Sequence, residues 1–268
     1  MVGALLGGGV AFAGFRARSL SWSGAGAAAI MGTVAVAAGW SWAIVLVSYF
    51  GVSTLLSQLG AQRKRDRLTG VVDKAGARDA TQVMANGFPY LFCAAMTLLT
   101  PPSYLYLLTT CAAGSLAASA ADTWATEIGT LVGQPPRSIL TGRGMTVGES
   151  GGVTLAGCAA AGGGAAFVAA VAVFAGLDRI AFPLIVLGGI AGAATDSIVG
   201  ASIQRRSWCD ACGRATEMRI HNCGAPTRHT GGLAWLENDG VNLIATVTGA
   251  GIPLIMIALG LRASPMRT

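Results

Sequence analysis

Long apolar runs separated by short polar stretches dominate this chain. Residues 24–39, 41–59, 79–99, 104–121, 151–176, 181–202 and 241–261 are each mostly apolar, and a shorter run occupies residues 1–15. A helix rising 1.5 Å per residue needs about 20 such residues to cross a bilayer, so the pattern predicts an all-α transmembrane bundle of seven to eight spans. The first run has no basic residues ahead of it, which argues against a secretory signal and for a short or tilted first helix. A single integral membrane domain is expected over residues 1–268, with residues 203–240 forming an extended polar loop.

Composition agrees, at 53% hydrophobic and 11% charged residues, and it adds 39 glycines in 268 residues. Many fall in patches such as Gly24-Ala25-Gly26, Gly162-Gly163-Gly164 and Gly188-Gly189-Ile190-Ala191-Gly192. Lipid gives membrane helices no hydrophobic reason to pair, so small residues that let backbones approach supply the packing. All of the 18 basic residues except Arg179, Arg262 and Arg267 fall in four loops, at 16–23, 60–78, 122–150 and 203–240. The positive-inside rule then predicts that these loops are cytoplasmic and both termini outside. The net charge of +6 is a topology signal on this reading and implies no nucleic-acid partner. Of the 12 acidic residues, Asp178 alone belongs to the opposite face, so the polar chemistry is one-sided.

Carboxylates at membrane depth are functional candidates by default. Asp122 and Glu127 follow the apolar run at 104–121, and Asp196 lies in the Gly/Ala-rich run at 181–202. On one continuous helix Asp122 and Glu127 would diverge by about 140°, so convergence requires a break, for which Gly129 and Gly133 offer weak points. Asp122 and Thr126 share a face in either case. Asp79, Gln82 and Asn86 form a stripe at i, i+3 and i+7, and Asn238 and Asn242 flank Asp239 at i, i+4. Such groups either hydrogen-bond between helices or line a polar cavity. Acids of this kind suit Mg²⁺, which takes hard oxygen ligands and substrate phosphates. The lesser alternative, a proton or sodium pathway, uses the same residue types.

Cations for phosphate are present on the same face. Arg63-Lys64-Arg65-Asp66-Arg67 and Arg78 follow the third run, and Arg137-Ser138 and Arg143 follow the acids. The basic run also reads as a topology determinant that attracts anionic headgroups. The stretch Thr141-Gly142-Arg143-Gly144-Met145-Thr146-Val147-Gly148-Glu149-Ser150-Gly151-Gly152 is rich in glycine, which lets backbone N–H groups close on phosphate oxygens. Among the six cysteines, Cys93, Cys111 and Cys158 lie singly in apolar runs and read as packing residues. Cys209-Asp210-Ala211-Cys212, then His221-Asn222-Cys223 and His229, fit a structural Zn²⁺ knuckle; free thiols or a disulfide are the alternatives.

Several motifs, in order and spanning nearly the whole chain, resemble the family that contains transmembrane protein 19 and the plant phytyl-phosphate kinase. They are Gln82-Val83-Met84-Ala85-Asn86-Gly87, Asp122-Thr123-Trp124-Ala125-Thr126-Glu127-Ile128-Gly129, the turn from Gly148 to Gly152, Thr195-Asp196-Ser197-Ile198-Val199-Gly200-Ala201 and Asn238-Asp239-Gly240-Val241-Asn242. The chain departs from the family pattern at Thr126, where Ser is usual, at Arg143, where Lys is commoner, and at Glu149.

The resemblance implies a membrane kinase that moves the γ-phosphoryl group of a nucleoside triphosphate, CTP being favoured, to a prenyl monophosphate in the lipid bilayer. Asp122 with Glu127 or Asp196 is then expected to hold Mg²⁺. Arg143, Arg137, Ser138, Gly148, Ser150 and Gly151 are expected around the donor phosphates. Arg63, Lys64, Arg65 or Arg78 would take the acceptor phosphate, and Asn86, Thr126, Ser197, Asn238, Asp239 and Asn242 would line the substrate pocket. Two other functions use the same residues: a polyprenyl-phosphate transporter or scramblase, and a cytidylyltransferase acting on a lipid phosphate. One-sided loops and the lack of an obvious internal repeat weigh against transport.

Overall fold

The apolar runs fold as helices, three of which begin at side-chain caps. The computed structural model describes residues 2–62, 76–221 and 223–260. Among them are eight helices: α1 (Val2–Arg16), α2 (Trp22–Ala38), α3 (Trp40–Gln58), α4 (Ala80–Thr97), α5 (Leu105–Val132), α6 (Leu155–Phe174), α7 (Ala181–Ser202) and α8 (Asn238–Ala258). Ser21 and Thr154 cap α2 and α6, each accepting a first-turn N–H. Asp79 opens α4 with a reciprocal capping box: its carboxylate accepts from Gln82 N–H while Gln82 Oε1 accepts from Asp79 N–H. Five helices are long and apolar enough to span a membrane, namely α3, α5 with its leading turn, α6, α7 and α8. Helices α1 and α2 are apolar but have 15 and 17 residues, and α4 carries the polar stripe.

One boundary differs from expectation. The polar residues after Ala121 predict a loop from residue 122, yet α5 continues without a break to Val132, where Gly133 at φ 74° ends it. Nothing between Thr123 and Val132 breaks a helix; Gly129 sits buried inside it, and the turn comes only with Gly133-Gln134-Pro135-Pro136. Asp122 therefore lies well inside a 28-residue helix.

Helix α5 is central, buried continuously from Thr110 to Ala121, and packs against α3, α4, α6, α7 and α8. Small residues set its closest crossings. A Cβ added at Gly249 of α8 would lie 2.6 Å from both Ala118 Cβ and Gly114 O of α5, and one at Gly192 of α7 would meet Ala118 Cβ and Ala245 O. The glycine patches thus let three backbones touch at one level.

The connections carry two small sheets. Strands β1 (Arg137–Ser138) and β2 (Gly152–Val153) pair antiparallel between α5 and α6. Between α7 and α8, β3 (Arg206–Cys209) is the middle of a three-stranded antiparallel sheet, with β4 (Arg214–Thr216) on one side and β5 (Arg228–Gly231) on the other. Arg205 N–H donates to Leu236 O at 2.8 Å and Leu233 N–H to Ile203 O at 2.8 Å, so this ribbon is bound to the ends of both neighbouring helices.

Candidate functional site

The α5–α7–α8 crossing places the acids. Ala118 and Gly192 touch, and one turn further toward the same end of the bundle stand Asp122 on α5 and Asp196 on α7. Asp122 and Glu217 are the charged neighbours of Asp196, and Asp196 Oδ2 is buried without a hydrogen-bond partner among the described residues. Glu217 lies just beyond β4. Its Oε1 accepts from Ser150 N–H at 3.3 Å and its Oε2 from Gln204 Nε2 at 2.8 Å, which brings the α5–α6 loop and the ribbon to the acids. Half-buried carboxylates in one place call for a counter-charge. Glu127, five residues along the unbroken α5, points about 140° away from Asp122. The expected convergence of Asp122 and Glu127 does not occur, because the break it required is absent.

Beside the acids runs a chain of neutral polar groups. Asn86 Oδ1 accepts from Ser119 Oγ at 2.8 Å, Asn86 Nδ2 donates to Gln82 O at 2.9 Å, and the Tyr49 hydroxyl lies 2.6 Å from Ser119 Oγ. Tyr49 in turn has Arg78 and Asp122 as charged neighbours. Both sequence alternatives for Asn86 therefore hold: it ties α4 to α5 and it lines a cavity. That cavity, about 410 Å³, lies among α1 to α4. Its walls are apolar, including Leu6, Met31, Leu46 and Val83, and its polar end carries Arg78, Gln82, Asn86, Tyr49 and Thr123. Arg78 is fixed by its backbone, which accepts from Ser21 N–H and donates to Ser19 O, each at 2.9 Å, and its guanidinium donates to Ser57 Oγ at 3.4 Å. Thr123 follows Asp122 directly, so the cavity's polar end adjoins the acids.

The glycine-rich loop is built differently from an open cradle. Gly151, at φ 84°, packs on α7, where a Cβ would come within 2.7 Å of Ala201 Cα. Arg137 donates to Gly142 O at 3.1 Å and Ser138 Oγ accepts from Thr141 N–H at 3.3 Å, so both brace the loop itself. Gly148 is a turn at φ 93°, and the Ser150 N–H is taken by Glu217. Arg143 is exposed on the loop, as are Thr126 on α5 and Asn238 at the start of α8; Ser197, Asp239 and Asn242 are half-buried. Arg63, Lys64 and Arg65 lie outside the described residues. Tyr49, Ser119, Gln204 and Glu217 were not among the expected site residues. Tyr49 and Ser119 are polar interruptions of apolar runs and carried a faint signal; Glu217 carried none, being one acid in a long polar loop.

The structure brings Cys209, Cys212, His221 and Cys223 together, their ligand atoms all within 4.8 Å of one another. His229 is elsewhere, its Nε2 lying 3.1 Å from Gly232 O. The Cys223 thiol is lowered to about 6, first by the backbone hydrogen bond at Ala225 and then by His221, while its hydrogen bond with Cys223 raises Cys212 to about 11.

A helical bundle with five membrane-length apolar helices, carrying half-buried carboxylates and a polar-ended cavity, defines a multi-pass integral membrane protein. The chain belongs to the family described as integral membrane protein DUF92, whose profile matches residues 5–250. It is similar to Protein PGR of Arabidopsis thaliana, 27% identical over 259 residues that cover 88% of each chain. An uncharacterized membrane protein of Methanocaldococcus jannaschii is 28% identical over 243 residues, 90% of this chain and 87% of its own. Another from Synechocystis sp. is 27% identical over 246 residues, 90% of this chain and 82% of its own. No solved structure matches.

Proposed function

We propose that this protein is a membrane-embedded prenyl-phosphate kinase, transferring the γ-phosphoryl group of CTP or another nucleoside triphosphate to a prenyl monophosphate. The observation that carries the reading is the apolar cavity of about 410 Å³ that ends in Arg78, Gln82, Asn86 and Thr123 beside Asp122. A prenyl tail fits its walls, each buried CH₂ contributing about 0.8 kcal/mol, and Arg78 meets the phosphate where the tail ends. The active face and the polar loops are cytoplasmic on this reading, with both termini outside, as the distribution of basic residues supports.

An oxygen of the acceptor phosphate attacks the γ-phosphorus in line. The bond from that phosphorus to the β–γ bridging oxygen breaks, and the nucleoside diphosphate leaves with the electron pair. A phosphate monoester is already an anionic nucleophile, so no strong base is needed and positioning dominates. Arg78 orients the acceptor, with Asn86 held by Ser119 at the cavity's polar end. Asp122 and Asp196 would hold Mg²⁺, a fit supported by the buried, unpartnered Asp196 Oδ2, and the ion would neutralise charge on the donor phosphates. Arg143, exposed on the α5–α6 loop, would meet the donor phosphates. Glu127 has no metal role in this scheme.

A second cavity of about 840 Å³ at the opposite end, lined by Trp42, Tyr90, Tyr106 and Asp178 among others, favours the transporter reading. Purified protein with Mg²⁺, γ-labelled CTP or ATP and a panel of prenyl monophosphates separates the possibilities. Label in a prenyl diphosphate establishes the kinase. Label retained in product only from α-labelled CTP points to a cytidylyltransferase. Flux in liposomes without nucleotide consumption points to a transporter.

A further inference from the structure

We propose that Cys209, Cys212, His221 and Cys223 bind one Zn²⁺, and that this ion holds the ribbon between α7 and α8 so that Glu217 stays docked beside Asp196. The donor set is three thiols and one imidazole, the softest grouping in the described residues and one suited to a closed tetrahedral site. Its dimensions fit as well. With Zn–S bonds of about 2.3 Å, a tetrahedron has S···S edges of about 3.8 Å; Cys209 Sγ and Cys223 Sγ are 3.7 Å apart, and His221 Nδ1 is 3.2 Å from Cys223 Sγ. Cys209 and His221 are buried, so two ligands are fixed by the fold, while Cys212 and Cys223 close the site from outside.

The connectivity links this site to the carboxylates. Cys209 ends β3, Cys212 sits in the turn, and β4 returns with Cys209 facing Arg214 and Ser207 facing Thr216. Glu217 is the next residue. Beyond it, Thr227 N–H donates to Arg219 O at 3.0 Å and His221 N–H to Ala225 O at 2.9 Å, so the strand leaving Glu217 is closed by the turn that bears His221 and Cys223. Metal bonds on both sides thus pin the short segment from Thr216 to Ile220. Glu217 then reaches Ser150 N–H and Gln204, fastening the α5–α6 loop to the end of α7. Removing the ion frees the segment at both ends, because four metal bonds supply the cross-links that so small a sheet lacks. The proposal does not depend on the phosphoryl-transfer reading.

Three measurements on the full chain in detergent test it, none using turnover. Elemental analysis is expected to find one zinc per chain, retained through dialysis. Cobalt substituted for zinc is expected to show the strong visible bands of tetrahedral Co²⁺ with thiolate charge transfer. Cys212→Ser should lose both signals, while Cys158→Ser, outside the cluster, keeps them. Limited trypsin digestion reads the second half: chelation should speed cleavage after Arg219 and after Arg143 by about tenfold, as local opening of both segments requires. Glu217→Ala should keep its zinc yet speed cleavage after Arg143 alone. A folded sample with neither zinc nor the cobalt spectrum, or with a Cys209–Cys223 disulfide, overturns the metal site. Cleavage after Arg143 that is unchanged by both chelation and Glu217→Ala overturns the link to Glu217.

Discussion

The two halves of the bundle differ in what their helices enclose. In α5 to α8, glycine and alanine bring backbones into contact, with Ala118, Gly192, Ala245 and Gly249 meeting at one level. In α1 to α4, Gly7 and Gly32 bring α1 and α2 together in the same way, but larger side chains such as Trp40, Leu46, Phe50 and Met31 surround a cavity of about 410 Å³. The first arrangement leaves no room at that level and fixes the spacing of Asp122 and Asp196. The second leaves room for a flexible apolar guest. The proposed site for a lipid phosphate needs both, rigid charges at one end and adaptable space at the other, and on that proposal they meet at Asp122-Thr123.

The largest effect should come from breaking the tight half. Gly192→Leu drives a side chain into Ala118 and the α8 backbone, where overpacking costs about 1–3 kcal/mol even when the surroundings can give and more against backbone. The expected outcome is loss of monodisperse protein in size-exclusion chromatography, whereas Gly162→Leu, with open space around it, should behave as wild type. Next in size, Asp122→Asn should reduce transfer of γ-label to background while leaving the melting temperature unchanged; normal turnover would remove Asp122 from the metal site. Arg78→Ala should raise the KM for the prenyl monophosphate about tenfold to a hundredfold with a smaller change in kcat, as loss of a charge-assisted contact to phosphate implies, and Arg78→Lys should recover part of it.

Smaller effects sharpen the comparison further. Ala43→Phe narrows the loose half without touching a charge, so it should lower turnover several-fold on long prenyl phosphates and spare short ones; equal losses on both would place the tail elsewhere. Thr154→Ala removes the cap that accepts Gly157 N–H at 2.9 Å and should cost about 1 kcal/mol, read as a modest shift in thermal unfolding with KM unaltered.

The helices were legible because each apolar run approaches the length a span needs, and Ser21, Asp79 and Thr154 then cap three of them. The end of α5 was not, since hydropathy falls at Asp122 whereas the backbone has no reason to turn before Gly133. For the same reason Asp122 and Glu127 looked like partners along the chain when the helix holds them apart. Asp196, Arg78 and Asn86 were legible as polar residues in or beside apolar runs, where an unsatisfied group is costly. Glu217 was not, because its place depends on a ribbon folding back over the helix ends, and local pattern carries no record of that contact. The grouping of Cys209, Cys212, His221 and Cys223 was readable from spacing, although spacing did not set His229 apart from it.

The claim that the two halves form one site is tested most directly by photolabelling. A prenyl monophosphate with a diazirine near the end of its tail is irradiated with the purified protein, and the modified residues are mapped by mass spectrometry. Labelling of α2 to α4 around Met31, Ala43 and Val83, displaced by unlabelled prenyl monophosphate and weakened in Arg78→Ala, is the expected result. Label confined to the opposite cavity near Tyr104 and Leu177, or spread over lipid-facing surfaces and not displaced, would contradict it.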